Sequence, residues 1–252
     1  MTGRCAGRER VGARLTRLIQ AFLRERLRLD CHDWTSLALI LDACRQRLIN
    51  PIAAMSSYDL LTIGHSNLLA ERFMALLASA GVIAVADVRS VPFSRWCPWF
   101  SGKALAERLA AERIAYIALG EALGGRPRDR RLYRDGVADY EAMAAQPEFA
   151  AGLARVMDAS ARQRVCLLCA EREPLDCHRC LLVGRALCER GLTLGHIRPD
   201  GSIEPQAATE ERLLALAGEE TDLFRDRADR LAHAYRRRAQ AVAARLQLKR
   251  RR

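Results

Sequence analysis

Lysine is nearly missing from this chain: Lys103 and Lys249 are the two lysines in 252 residues, and arginine supplies the rest of the 41 basic side chains. That excess looks like a compositional habit rather than selection for phosphate contacts, so a net charge of +11 is weak ground for nucleic-acid binding. The charge is also displaced to the ends. Residues 1–54 carry +5 and residues 225–252 carry +9, which leaves residues 55–224 at −3. No apolar run reaches the ~18 residues of a membrane span, and the arginine-rich start lacks the apolar stretch of a secretory signal. The chain therefore reads as cytoplasmic, with no membrane partner. Nine cysteines, an odd number in a chain without a secretory signal, argue for reduced thiols rather than a disulfide framework. Glycine-rich phosphate loops are absent as well, because Gly64-His-Ser and Gly124-Gly125 are too short to count as one. Nor is there a thiol-phosphatase or rhodanese type of loop, since the position six residues after Cys169 is Leu175 instead of arginine.

What is present is a strand and helix alternation. Half of the residues are hydrophobic, enough for a sizeable core. Apolar runs at Tyr58–Ile63, Val82–Val88, Ile114–Leu119, Arg164–Cys169 and Leu192–Ile197 predict strands, and Asp200-Gly201 predicts a hairpin into Ser202–Glu204. Helical periodicity fills the gaps over Leu68–Ala80, Lys103–Arg113, Pro147–Ser160, Cys177–Arg190 and Thr209–Leu216. The pattern predicts an α/β fold, doubly wound, with a mostly parallel sheet of about five strands and helices on both faces. Three segments are expected: an arginine-rich extension over 1–54, with Met55 as the natural start, an α/β domain over 55–204, and a helical basic tail over 205–252.

The stretch from Arg164 to Arg190 concentrates the reactive side chains. A strand ends in Cys169, a polar turn carries Glu171 and Pro174, and Asp176 is placed to cap a helix that begins Cys177-His178-Arg179. In doubly wound sheets, ligands bind beyond the carboxyl ends of the strands. That rule draws His65, Asp87 with Arg89, Glu121, Cys169 with Glu171, and His196 toward one crevice. The arginine cluster at 126, 128, 130, 131 and 134 is either a solvated loop or an anion clamp over it. Zinc is the one cofactor that His65, Cys169, Cys177 and His178 suggest. Two Cys-x-x-Cys pairs, 166 with 169 and 177 with 180, resemble a four-cysteine site on paper. Yet Cys166 and Cys169 lie three apart on a strand and must point to opposite faces, so no metal is expected. Cys166, Cys180 and Cys188 read as packing residues.

The motifs Thr62-Ile-Gly-His65-Ser-Asn67, Asp87-Val-Arg89-Ser-Val-Pro92, Ser94-Arg95, Leu123-Gly-Gly125, Cys169-Ala-Glu171 and Cys177-His-Arg179 together resemble the domain of unknown function 488 family. The resemblance runs from Tyr58 through His196 and on to Asp222–Phe224 and Ala234–Arg236. It implies a compact α/β domain whose shared polar residues are His65, Asn67, Asp87, Arg89, Arg95, Cys169, Glu171, Cys177, His178 and Arg179. Read as an enzyme, the chain is a hydrolase or transferase for an anionic substrate such as a nucleotide or a nucleic-acid component. Glu171, His65 or His178 would then serve in acid–base chemistry and Cys169 as a nucleophile, while Asn67, Asp87, Arg89, Arg95, Cys177 and Arg179 bind substrate. The alternative is a non-catalytic module that binds a nucleotide or nucleic acid.

Overall fold

The computed structural model describes residues 58–221 and 225–250, with side chains to residue 245. The expected extension over 1–54, the start at Met55 and the segment 222–224 lie outside the described residues. In chain order the main elements are β1 (Leu60–Gly64), α1 (Ala70–Ser79), β2 (Ala84–Asp87), α2 (Gly102–Ala111), β3 (Ala115–Ala118) and a short α3 (Gly120–Leu123). A two-stranded ribbon, β4 (Tyr133–Arg134) with β5 (Val137–Ala138), leads into α4 (Tyr140–Ala144) and α5 (Pro147–Ser160). Then come β6 (Val165–Cys169), a π-helix over Arg179–Gly184 running into α6 (Arg185–Cys188), β7 (Leu194–Ile197), β8 (Ile203–Pro205), α7 (Gln206–Ala217) and α8 (Arg227–Arg250).

Six strands form the main sheet in the order β3-β2-β6-β1-β7-β8. All neighbours are parallel except the β7–β8 hairpin, which adds the sixth strand at one edge. Residues of β6 alternate between two cores. Val165, Leu167 and Cys169 face the core made with α5, the π-helix and α8, while Cys166 and Leu168 face the core made with α1 and α2. Helices thus cover both faces, and the doubly wound architecture follows. Helix α1 buries Ala70, Phe73, Leu76 and Leu77 at helical spacing, and α5 buries Phe149, Gly152, Leu153 and Val156.

One topological feature positions the site. From β1 the chain crosses by α1 to β2 on one side of the sheet; from β6, its neighbour, it crosses by the π-helix and α6 to β7 on the other. The connections leave adjacent strands in opposite directions, and a crevice opens at their carboxyl ends.

Two expectations are corrected. The C-terminal segment expected as a basic tail contributes to the core: α8 buries Ala234, Tyr235, Ala239, Val242 and Ala243 and packs against α7, β5 and the π-helix. Its arginines masked this narrow apolar face in the sequence pattern. The helix expected over Cys177–Arg190 opens instead as a π-helix whose six residues are all buried, and Asp176 does not cap it. Asp176 ends a 3₁₀ turn, Pro174–Asp176, and its carboxylate receives Arg238 and Arg245 from α8.

Candidate functional site

Gly64 ends β1 where the loop after β6 passes directly over it. A Cβ there would lie 1.7 Å from the Glu171 carbonyl oxygen, so only glycine lets the two strand ends close together. Backbone bonds from His65 N–H to the Cys169 carbonyl and from Ser66 N–H to the Ala170 carbonyl complete the seam. Arg179 secures the other side. Its side chain is 1% exposed and donates to the carbonyls of Glu171 and Arg172 and to the Thr62 hydroxyl. Expected as a substrate contact, Arg179 is saturated by the chain itself and holds the 170–172 loop from below.

Above that seam lies a cleft of about 100 Å³ lined by His65, Arg89, Ser90, Val91, Phe93, Ser94, Gly125, Arg126, Cys169, Ala170, Glu171 and His178. Its floor is a cluster of Cys169, Glu171, Cys177 and His178 whose ligand-type atoms all lie within 4.8 Å of one another. Glu171 Oε2 is 3.1 Å from Cys169 Sγ and 3.4 Å from Cys177 Sγ, and the two sulfurs lie 3.5 and 3.9 Å from His178 Nδ1. The other ring nitrogen, Nε2, lies 2.8 Å from the Val88 carbonyl and must donate to it, because a carbonyl only accepts. Gly125 packs flat on this ring, where a Cβ would stand 2.6 Å from His178 Cγ.

The two thiols divide their protons unequally. Burial drives the Cys169 thiol well above its ordinary range, helped by the neighbouring Cys177 and Glu171. Burial acts the same way on Cys177, but the hydrogen bond from Cys169, the Arg179 charge and His178 outweigh it and bring Cys177 well below the ordinary value. His178 is pushed down by burial and raised more strongly by Cys177, Glu171 and the Val88 carbonyl. The first ionisation therefore creates a buried thiolate beside an imidazole that favours its charged form.

The remaining expected residues fall in different places. Arg89 lines the cleft, but its guanidinium is committed to Asp87 on one edge and to the Phe100 carbonyl and His65 Nε2 on the other. His65 stacks on Phe100 with ring centroids 4.3 Å apart, and its Nδ1 donates to the Ser66 carbonyl. Burial and the Arg89 charge lower its pKa to about 4, so His65 is neutral at pH 7 with both nitrogens engaged. It braces Arg89 and has no free nitrogen for acid–base work. Asn67 is exposed and receives Arg172. Arg95 is exposed and stacks over Trp96, 4.9 Å from the ring centroid.

Glu121 and His196 leave the crevice altogether. Glu121 is exposed and pairs with Arg128. His196 is buried beneath the sheet, held between Thr62 Oγ1 and Gln206 Oε1 at 2.7 Å each. Its position near the end of β7 suggested the crevice, but it sits level with Thr62, two residues before the end of β1, on the same face as Leu167 and Cys169, and both ring nitrogens are taken there. Of the arginine cluster, Arg128, Arg131 and Arg134 pair with Glu121, Asp129 and Asp139, and only Arg126 lines the cleft. No described carboxylate pairs with its guanidinium. Arg126 was one of five equivalent arginines in the sequence; what separates it is the bond from its backbone N–H to the Ser90 hydroxyl at 2.9 Å, which fastens it to the cleft wall.

The expectation about the cysteine pairs holds in part. Cys166 is buried on the opposite face of the sheet and Cys180 lies against Gln206, so the two Cys-x-x-Cys pairs form no common site. Of the four residues that suggested zinc in the sequence, Cys169, Cys177 and His178 do assemble, while His65 turns to Arg89 and Glu171 completes the quartet.

These features define a doubly wound α/β protein whose candidate site sits where the connections of β1 and β6 diverge. Residues 69–186 match the family described as Domain of unknown function DUF488, so the family resemblance of the motifs holds over that span. The Thr62–Asn67 motif lies just before it. No curated protein and no solved structure is significantly similar to the chain. No helix among the described residues is long and apolar enough to cross a membrane.

Proposed function

We propose that the cleft is the active site of a hydrolase or transferase that acts on a small anionic group of a nucleotide-like or nucleic-acid-like substrate. The observation that carries this reading is the meeting of the half-buried Glu171 carboxylate and the Cys169 sulfur, on the floor, with the unpaired Arg126 guanidinium on the wall. In this reading Arg126 receives the anion and Glu171 exchanges the proton of the attacking or leaving group. Arg89, closed on the Asp87 carboxylate, shapes the wall of the cleft. At about 100 Å³ the cleft is well below the several hundred Å³ of pockets that engulf a drug-sized ligand, so it suits the reacting end of a substrate whose remainder lies outside. Phe93 and Trp96, 68% and 80% exposed on the loop beside it, offer faces on which a base can stack.

The same exposed aromatics favour the second reading, a non-catalytic module for nucleotides or nucleic acid. A panel of phosphate esters, nucleotides and oligonucleotides, assayed with wild type, Glu171→Gln and Arg126→Ala, separates the two. The enzyme reading expects turnover by wild type, a loss of kcat of about 10²–10⁴-fold in Glu171→Gln, and mainly a higher KM in Arg126→Ala. Binding that survives in all three without turnover in any overturns it in favour of the module.

A further inference from the structure

The four groups on the cleft floor have the composition and spacing of a metal site. We propose that Cys169, Cys177 and His178 bind a zinc ion, with the Glu171 carboxylate as the fourth ligand on the side that opens to solvent.

The geometry supports this in three ways. Zinc bonds of about 2.3 Å to sulfur and about 2.1 Å to nitrogen or oxygen, arranged tetrahedrally, place each sulfur about 3.6 Å from the nitrogen and oxygen ligands. The four corresponding separations here are 3.1, 3.4, 3.5 and 3.9 Å, so an ion at the centre needs shifts of a few tenths of an ångström. Second, the outer contacts are those that orient metal ligands. His178 Nε2–H is tied to the Val88 carbonyl, which leaves the Nδ1 lone pair aimed at the cluster, and the Arg179 N–H donates to Cys177 Sγ at 3.4 Å. Third, two thiolates and a carboxylate around a divalent ion sum to one negative charge, and the buried Arg179 guanidinium lies beneath the same loop to balance it. Two sulfur donors select zinc over magnesium or calcium. Binding displaces the protons that the free ligands carry, so affinity rises with pH.

The inference uses the site of the proposed function but stands without its chemistry. The ion would be open to substrate as a Lewis acid when the Glu171 carboxylate leaves it, which also frees that carboxylate for the proton exchange proposed above.

The test is metal analysis of the full chain purified under reducing conditions, followed by exchange with cobalt(II) to read thiolate-to-metal charge-transfer absorption. One zinc per chain is expected, with cobalt bands that report sulfur ligation. Affinity should fall by about 100-fold or more in Cys169→Ser, Cys177→Ser and His178→Gln, and stay unchanged in Cys188→Ser, which lies outside the cluster. Circular dichroism of each variant identifies loss through unfolding, and a smaller loss in Glu171→Gln gives a reading that does not depend on removing a thiol. Substoichiometric metal, metal retained in folded Cys169→Ser, or a Cys169–Cys177 disulfide in place of metal overturns the inference. Stoichiometric zinc with no turnover on the substrate panel overturns the proposed function and leaves the metal site standing. Turnover by protein that is metal-free as purified and takes up no added zinc does the reverse.

Discussion

Asp87 grips Arg89, two residues further along the chain, with both carboxylate oxygens, at 2.8 Å from Nε and 2.6 Å from Nη2. Both residues are almost fully buried, and Tyr116 O–H donates to the same carboxylate at 2.7 Å. As a motif the pair resembles a substrate-binding arginine beside an acid. In the fold it is a closed, fully hydrogen-bonded unit that fixes the end of β2 and, through Arg89 and His65, the wall of the cleft.

Cutting that unit at Asp87 is expected to be severe. Asp87→Ala leaves a buried guanidinium without its counter-ion, and breaking a buried pair in this way costs about 3–5 kcal/mol. Urea denaturation should show a midpoint lowered accordingly. An unchanged midpoint would mean that Arg89 readily finds solvent or another carboxylate.

Gly64→Ala should act on the site through the backbone. The new methyl would overlap the Glu171 carbonyl, 1.7 Å away, and must push the 170–172 loop off β1. Overpacking of this kind costs about 1–3 kcal/mol, and the displacement carries Glu171 with it. Loss of any Glu171-dependent turnover together with a lowered melting temperature is expected. Gly125→Ala meets a side chain instead, the His178 ring at 2.6 Å, so the expected result is a changed imidazole signal in ¹H–¹⁵N NMR with a smaller loss of stability.

Acid should weaken the fold well before general acid denaturation. Burial, followed by the Arg179 charge, lowers the His196 pKa from 6.5 to about 4, against the opposing pull of Gln206 and Glu204, with Arg198 nearby. Between those values the unfolded chain binds the proton and the native chain does not, so stability is full above pH ~6.5 and falls as pH drops toward ~4. The size of the shift corresponds to about 3 kcal/mol. His196→Gln should flatten this part of the stability profile measured by denaturant titration at successive pH values. Glu173 extends the decline: Arg212 and Arg198 outweigh its burial and hold its pKa at about 2, so its contribution is lost as pH falls from 4.5 toward that value.

A chain ending at Asp226 tests the role of α8. It would lack Tyr235 and Val242, which are buried in the main core, and the Arg238 contacts to the Leu175 carbonyl and Asp176. A fall in thermal midpoint or loss of soluble protein is expected, because removing buried side chains leaves unfilled core. If the segment were only a basic contact arm, truncation would change the salt dependence of nucleic-acid binding and leave the midpoint alone.

The positions of β1, β2, β3, β6 and β7, and of the helices between the first strands, were set by local periodicity and turn chemistry. That is enough to derive a doubly wound sheet and to bring His65, Cys169 and Glu171 to one edge. The motif residues near the cleft were legible for the same reason, since parallel strands end together. Their roles were not legible. Whether Arg89, Arg179 and His65 face a ligand or the chain depends on which carboxylate, carbonyl or ring lies across from them, and those partners come from residues far away in sequence. The apolar face of α8 was hidden because five buried positions are diluted among arginines on one long helix. The zinc reading of the sequence drew on His65, Cys169, Cys177 and His178, and three of those four meet. Strand alternation sends Cys166 to the opposite face of the sheet, the π-helix turns Cys180 toward Gln206, and the loop clamped by Arg179 over Gly64 delivers Glu171 in their stead. The stretch from Arg164 to Arg190 supplies by itself all four groups of the candidate site, and the packing of Gly64, Val88 and Gly125 against it holds them where they meet.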